Sequence, residues 1–209
     1  CVSTLLDNQP GVRVAVEELN AAQIAKRLLS GHLDLAVSYR PEDQPQLWFE
    51  PLYNEALHLV VSASHPLARR RRVRMVELHQ QRMVLLPRQF LTRQMLDECF
   101  EAAGSQPQVV AELNSVGPMI ELIRQTELAG IIPETAVTAG PDLSVIALEE
   151  PRPMRTPGLL WTKGATRSPV IKHMADIIRR KASSRRCPAR LGGSRSTSSG
   201  EAAMSASAT

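Results

Sequence analysis

The chain has 209 residues, 43% of them hydrophobic and 22% charged, with a formal net charge of +4. That length and balance describe a globular protein of one domain or two small ones, with enough chain to bury a sizeable core, and no apolar run approaches the length of a membrane span. Cys1, Cys99 and Cys187 are an odd set at wide spacing, which excludes a disulfide framework and a zinc pattern and suits a reducing cytosol.

The positive charge is not a nucleic-acid signal. From Arg179 onward seven Lys/Arg stand against one acid, which leaves 18 basic and 20 acidic residues in the first 178. The body is therefore mildly acidic, and with aromatics at only 3% of the chain it offers little for stacking bases.

The chain opens at Cys1 inside a helical pattern (Val2, Leu5, Leu6), so it reads as a piece lacking its N-terminus. Residues 10–39 then read as one β-α-β unit. Val12, Val14 and Val16 alternate with Arg13, Ala15 and Glu17, the period of a strand, and Pro10-Gly11 is the turn that feeds it. Asn20 and Gln23 stand at the two positions of a capping box. Ile24 and Leu28 share one helix face, and Gly31 supplies the stop. Residues 33–37 are a short apolar strand. Strand, helix, strand with such short connections predicts a right-handed crossover and a parallel pair. Ligands in such sheets sit beyond the carboxyl ends of the strands, here residues 18–20 and 38–40.

A polar loop at 40–46 precedes expected strands at 47–51 and 56–61. Arg69 to Arg72 and Arg74 are expected in a solvated basic loop. A short helix at 76–80, a buried strand at 83–86, a helix at 92–103 and a strand at 108–113 follow. Asn114 and Ser115 cap a helix running to about Thr126, and further strands are expected at 128–133, 143–148 and 158–162. Pro151, Pro153 and Pro157 straighten the connector between the last two. Ser168 and Pro169 open the final helix. Residues 183–209, rich in Ser, Arg, Gly and Ala, are expected to be disordered, since they hold almost nothing that can be buried.

Strong catalytic signatures are absent: there is no G-x-S-x-G elbow, no H-E-x-x-H and no P-loop. The five histidines are scattered, and no Cys, His or carboxylate cluster suggests a metal. Neither an enzyme nor a cofactor is expected.

The unit P-x-V-x-V…L-x-x-G-x-L-D-L-A-V, above all Leu33-Asp34-Leu35-Ala36 after Gly31, resembles the start of the effector-binding domain of LysR-type transcriptional regulators. Ser64-His65-Pro66-Leu67-Ala68 and Leu128-Ala129-Gly130-Ile131-Ile132-Pro133 resemble later stretches of the same family. The second half (Val84-Leu85-Leu86, Thr92-Arg93, Glu112, Asn114-Ser115) is most similar to its cyanate-responsive branch. Cys99 falls where a peroxide-sensing branch has its second cysteine. Phe90 occupies the partner position nine residues upstream, so a packing role is expected instead.

The resemblance implies an α/β, two-lobed periplasmic-binding-protein-like (type II) fold. Each lobe is a mixed sheet flanked by helices, and two crossing strands join them. Residues 1–61 and 158–182 would form the first lobe, 62–157 the second and 183–209 a tail. It implies a cytoplasmic sensor that binds a small anion or carboxylate between the lobes. DNA would be bound through an N-terminal winged helix-turn-helix absent from this chain, in a homodimer or homotetramer with no membrane contact. The helix carrying Ile24, Leu28 and Leu29 is expected to contribute to the dimer interface. The expected ligand-binding residues are Asn20, Gln23, Ser38, Thr92, Arg93, Asn114, Ser115 and Val116, with Arg93 as the cation. They stand at strand ends and helix starts, where backbone N–H groups and a guanidinium suit an anion. Two other classes remain open: a periplasmic solute-binding protein of similar architecture, and an enzyme on the same scaffold with an acid/base pair in the cleft.

Overall fold

The computed structural model describes residues 1–41, 43–137 and 140–186. Helices α1 (Val2–Asn8) and α2 (Ala21–Leu29) precede strands β1 (Ala36–Ser38), β2 (Leu47–Pro51), β3 (Glu55–Ser62), β4 (Arg72–Arg74) and β5 (Arg82–Leu85). Next come α3 (Leu91–Ala102), β6 (Gln108–Glu112), α4 (Val116–Gln125), β7 (Ala129–Pro133) and β8 (Leu143–Glu149). The last elements are β9 (Met154–Arg155), β10 (Gly158–Thr162) and α5 (Pro169–Arg186). Short 3-10 turns stand at Met75–Leu78 and Glu134–Ala136.

The strands form two sheets. The larger has the order β4-β8-β3-β7-β5-β6, with β9 paired to the start of β3. Its centre is β3, whose last four residues are all buried, as a strand covered on both faces requires. Leu57, Leu59 and Val61 pack with Met75, Leu78, Leu96 and Phe100, and thus against α3. Val60 turns the other way, onto Met119 and Ile123 of α4. The smaller sheet has the order β1-β10-β2 and is antiparallel throughout. Ile24, Ala25 and Leu28 of α2 cover Leu47 and Leu160 on one face. On the other, Ala175 and Ala182 of α5 pack with Leu52, Leu159 and Trp161.

Two chain crossings join the sheets, one between β2 and β3, the other between β9 and β10. They run side by side. The Leu52 N–H donates to the Pro157 carbonyl at 2.9 Å, and the Thr156 hydroxyl donates to Asn54 Oδ1 at 2.8 Å.

Four expectations need correcting. Among the described residues, 12–16 pair with no strand and β1 pairs with β10 alone. Parallel pairs persist where both faces are covered. Here α2 and α5 cover β10 and β2 instead, leaving Val14 and Val16 exposed. The first crossing falls at 52–54 and not after 61, because Glu55–Ser62 hydrogen-bonds to β7 and β8 in the larger sheet. Part of the basic loop is ordered: β4 runs parallel to β8, with Arg72 bonded to Glu149 at 2.7 Å and Arg70 to Glu77 at 3.1 Å. The last helix reaches Arg186, because Ala182 is buried against the small sheet; the rest of the expected tail, residues 187–209, lies outside the described residues.

Ile24 and Leu28 are also spent inside the chain, so Leu29 is what α2 leaves exposed of its large apolar side chains. Where β10 meets β2, Gly158 sits under the Phe49 ring, and an added Cβ would lie 2.5 Å from the Glu50 carbonyl oxygen. Backbone cannot yield there as a side-chain tip can. Gly158→Ala should therefore lower unfolding free energy by about 1–3 kcal/mol, read by denaturant titration, and an unchanged midpoint would contradict this packing.

Candidate functional site

The crossings bring four elements to one point. Glu55, the first residue of β3, stands directly opposite Arg155 of β9 in the ladder. Arg155 donates from Nε to Glu55 Oε2 at 2.7 Å and from Nη1 to Thr92 Oγ1 at 2.8 Å. Thr92 lies in the first turn of α3, on the larger sheet's side. Its hydroxyl reaches the Tyr39 phenol oxygen at 3.4 Å, a long bond, and Tyr39 follows directly after β1 of the smaller sheet. The guanidinium lies over the Tyr39 ring, 5.0 Å from its centroid, the geometry of a cation–π contact. Behind it, Thr135 Oγ1 donates to Glu55 Oε1 at 2.7 Å.

Charge and hydrogen-bond capacity at this junction are unequal. Both oxygens of Glu55 are engaged and its side chain is only 6% exposed. Burial pushes the Tyr39 phenol up, against the pull of Arg155 and the Thr92 hydrogen bond, so at neutral pH it keeps its proton. Among the described residues, neither that O–H nor Nη2 of Arg155 has a protein acceptor, and the Arg155 side chain keeps 16% exposure. The unspent groups are therefore donors, and they flank a hydroxyl at the positive end of a helix.

Of the residues expected from sequence, Thr92 is at this point and Ser38 is one residue from Tyr39. Asn20 and Gln23 do form the capping box: Oδ1 of Asn20 accepts from the Gln23 N–H at 3.0 Å, and Oε1 of Gln23 accepts from the Asn20 N–H at 3.1 Å. Their side chains are thereby committed to α2. Ser115 is the N-cap of α4 without a side-chain cap bond, Val116 is its first residue, and Asn114 is exposed. None of these three is hydrogen-bonded to the Tyr39–Arg155 group among the described residues.

Arg93 is the clear revision. Its side chain is 3% exposed, with Nε on Asp97 at 2.8 Å and Nη1 on Glu112 at 2.7 Å and the Leu86 carbonyl at 2.8 Å. It ties α3 to β5 and β6, and its charge is already met by two carboxylates. A depression of about 380 Å³ beside it is lined by Arg88, Asp97 and Glu101 among others. A larger one of about 630 Å³, lined by Trp48, Phe49 and Lys163, flanks β2. Neither includes Tyr39, Thr92 or Arg155.

Sequence reasoning reached Tyr39 only as part of the strand end at 38–40 and missed Glu55, Thr135 and Arg155. Two signals were present: an acid opening a mostly apolar strand, and an arginine in a proline-rich segment.

The geometry defines a two-sheet α/β domain with a polar junction at its crossings, the class expected from sequence. The profile of the LysR substrate binding domain family matches residues 1–183, and the chain belongs to that family. It is 28% identical over 179 residues to the uncharacterized HTH-type transcriptional regulator YybE of Bacillus subtilis, covering 85% of this chain and 61% of that protein. It is 26% identical to a probable hydrogen peroxide-inducible genes activator of Mycobacterium avium, covering 83% of this chain and 57% of that protein. The chain thus spans about three fifths of the length of these relatives, which are named as transcriptional regulators and not as enzymes. Among solved structures, the regulatory domain of Synechocystis PCC6803 CcmR in complex with 2-PG superposes with a TM-score of 0.74 at 18% identity, covering 87% of this chain and 88% of that one. The effector binding domain of QuiR in complex with shikimate gives 0.73 at 21%, with 88% of both chains covered. At such identities the likeness establishes the fold. As for the peroxide-inducible relatives, burial pushes the Cys99 thiol up and it packs against the core, the environment of an unreactive cysteine.

Arg93→Ala should lower unfolding free energy by about 2–4 kcal/mol, because a buried charged hub with three acceptors is lost. Equilibrium denaturation checks this, and a change below about 0.5 kcal/mol, the size of an ordinary surface substitution, would contradict the hub.

Proposed function

We propose that the chain is the ligand-sensing part of a LysR-type transcriptional regulator, taking a small anion at the junction of Tyr39, Thr92 and Arg155. The observation that carries this is the pair of unspent donors, the Tyr39 O–H and Arg155 Nη2, on either side of the Thr92 hydroxyl. An oxyanion is the ligand that satisfies both, and the positive end of α3 favours it further. The complexes of fold neighbours with 2-PG and shikimate support a small-molecule ligand.

The contacts at the junction come from both sheets and both crossings, so a ligand between Tyr39 and Thr92 replaces a bond that joins the lobes. That change in lobe contact is the signal. It would pass to a DNA-binding part outside this chain, in a cytoplasmic homodimer or homotetramer. Ser38, beside Tyr39, and Asn114, Ser115 and Val116 at the start of α4 form the rim of the same site in this reading. Asn20 and Gln23 contribute through the cap of α2, and the cation is Arg155 in place of Arg93. The names of the curated relatives favour this reading over a periplasmic solute-binding protein.

Calorimetry of the 209-residue chain with cyanate, simple carboxylates and phosphate tests it. Arg155→Gln should weaken whichever anion binds by about ten- to a hundredfold, since charged hydrogen bonds are worth roughly 1.5–3 kcal/mol. Tyr39→Phe, which removes one neutral donor, should cost less, about two- to tenfold. Unchanged affinity in Arg155→Gln would sink the proposal.

A further inference from the structure

Glu55 has no place in a site built only to attract anions. A carboxylate there opposes the ligand, and burying it costs free energy that its partners must offset. Yet it is held firmly: Arg155 Nε on one oxygen, the Thr135 hydroxyl on the other, and ladder register fixing it opposite Arg155. We infer that Glu55 sets the charge of the ligand, so that the site takes monoanions and rejects dianions; this rests on the anion reading above.

The charges can be counted outward from the junction. Glu55 and Arg155 sum to zero. Next to Thr92 on α3, Arg93 is already paired with Asp97 of the same helix and Glu112 of β6. A ligand with one negative charge meets Arg155 at Nη2, the nitrogen that neither Glu55 nor Thr92 engages, and balances the one guanidinium charge that Glu55 partly offsets. A second negative charge on the same ligand gains no further cation from this set. It meets the field of Glu55, whose side chain is only 6% exposed, where water screens it weakly. At separations of several ångströms such repulsion is worth about ten- to a hundredfold in affinity.

Glu55 also positions Arg155. With Nε held by the carboxylate, the guanidinium plane is fixed over the Tyr39 ring, and its Nη edge is the edge left for the ligand. Thr135 anchors the carboxylate from the turn after β7, so the cation is braced against the larger sheet and not carried by a free side chain. A single charge-neutral substitution separates the two roles. Glu55→Gln keeps the shape, an acceptor for Nε and a group able to bond Thr135, and removes only the charge.

The test titrates the 209-residue chain by calorimetry at pH 8 with matched probes that differ by one charge: malonamate against malonate, succinamate against succinate, dimethyl phosphate against methyl phosphate. The wild type should prefer the monoanion of whichever pair binds by at least about tenfold. Glu55→Gln should shift that ratio toward the dianion by about ten- to a hundredfold, whereas Glu55→Asp, which keeps the charge on a shorter arm, should keep the wild-type order. A wild type that prefers the dianion overturns the inference whatever the variants do, as does an unchanged ratio in Glu55→Gln. Absence of binding by every probe would instead overturn the reading of the junction as an anion site.

Discussion

The contact between Glu55 and Arg155 is the constraint around which the rest of this molecule is arranged. It lies where β9 meets the first residues of β3, immediately before the chain crosses to the smaller sheet. A buried ion pair is seldom a source of stability, because desolvating both charges costs about as much as their attraction returns. Its value here is position. It fixes one guanidinium at the end of β9, over the ring of Tyr39 and bonded to Thr92, and leaves Nη2 without a protein acceptor among the described residues.

In the proposed reading, the packing lets this point respond to a ligand while the lobes stay intact. Each sheet has its own apolar cover: α3 and α4 enclose β3, and α2 and α5 enclose β10. Packing density inside such clusters is high. Between them the chain supplies two short crossings with a pair of hydrogen bonds, the Arg155–Tyr39 ring contact and the Tyr39–Thr92 contact at 3.4 Å. That last bond is the weakest link. A small change in the groups around Thr92 therefore alters how the lobes meet before it disturbs either core, which is the behaviour of a hinged two-state element.

Much of the fold was legible in the sequence because it is written in local patterns. The apolar run of β3, the capping box at Asn20 and Gln23 and the Ser168-Pro169 start of α5 each carry their own physical signature. The strand expected at 12–16 failed because alternation states a preference and not the presence of a partner. Which sheet residues 55–62 join is a matter of pairing with β7 and β8, far away in sequence. The site was harder still. Arg93 was attractive from sequence as a cation at a helix start, yet its partners Asp97, Glu112 and Leu86 come from three elements, and only folding shows that its charge is already met. Arg155, the cation with an edge to spare, is 63 positions from Thr92 and 100 from Glu55, and no local pattern announces such a meeting.

The most direct measurement is a crystal structure of this chain with a saturating small anion. The account predicts anion oxygens within hydrogen-bond distance of both Arg155 Nη2 and the Tyr39 phenol, with the Thr92 hydroxyl no longer bonded to Tyr39 and the Glu55–Arg155 pair intact. An anion bound in the depression beside Arg93 or on the flank of β2, with the Tyr39–Thr92–Arg155 contacts unchanged, would contradict it.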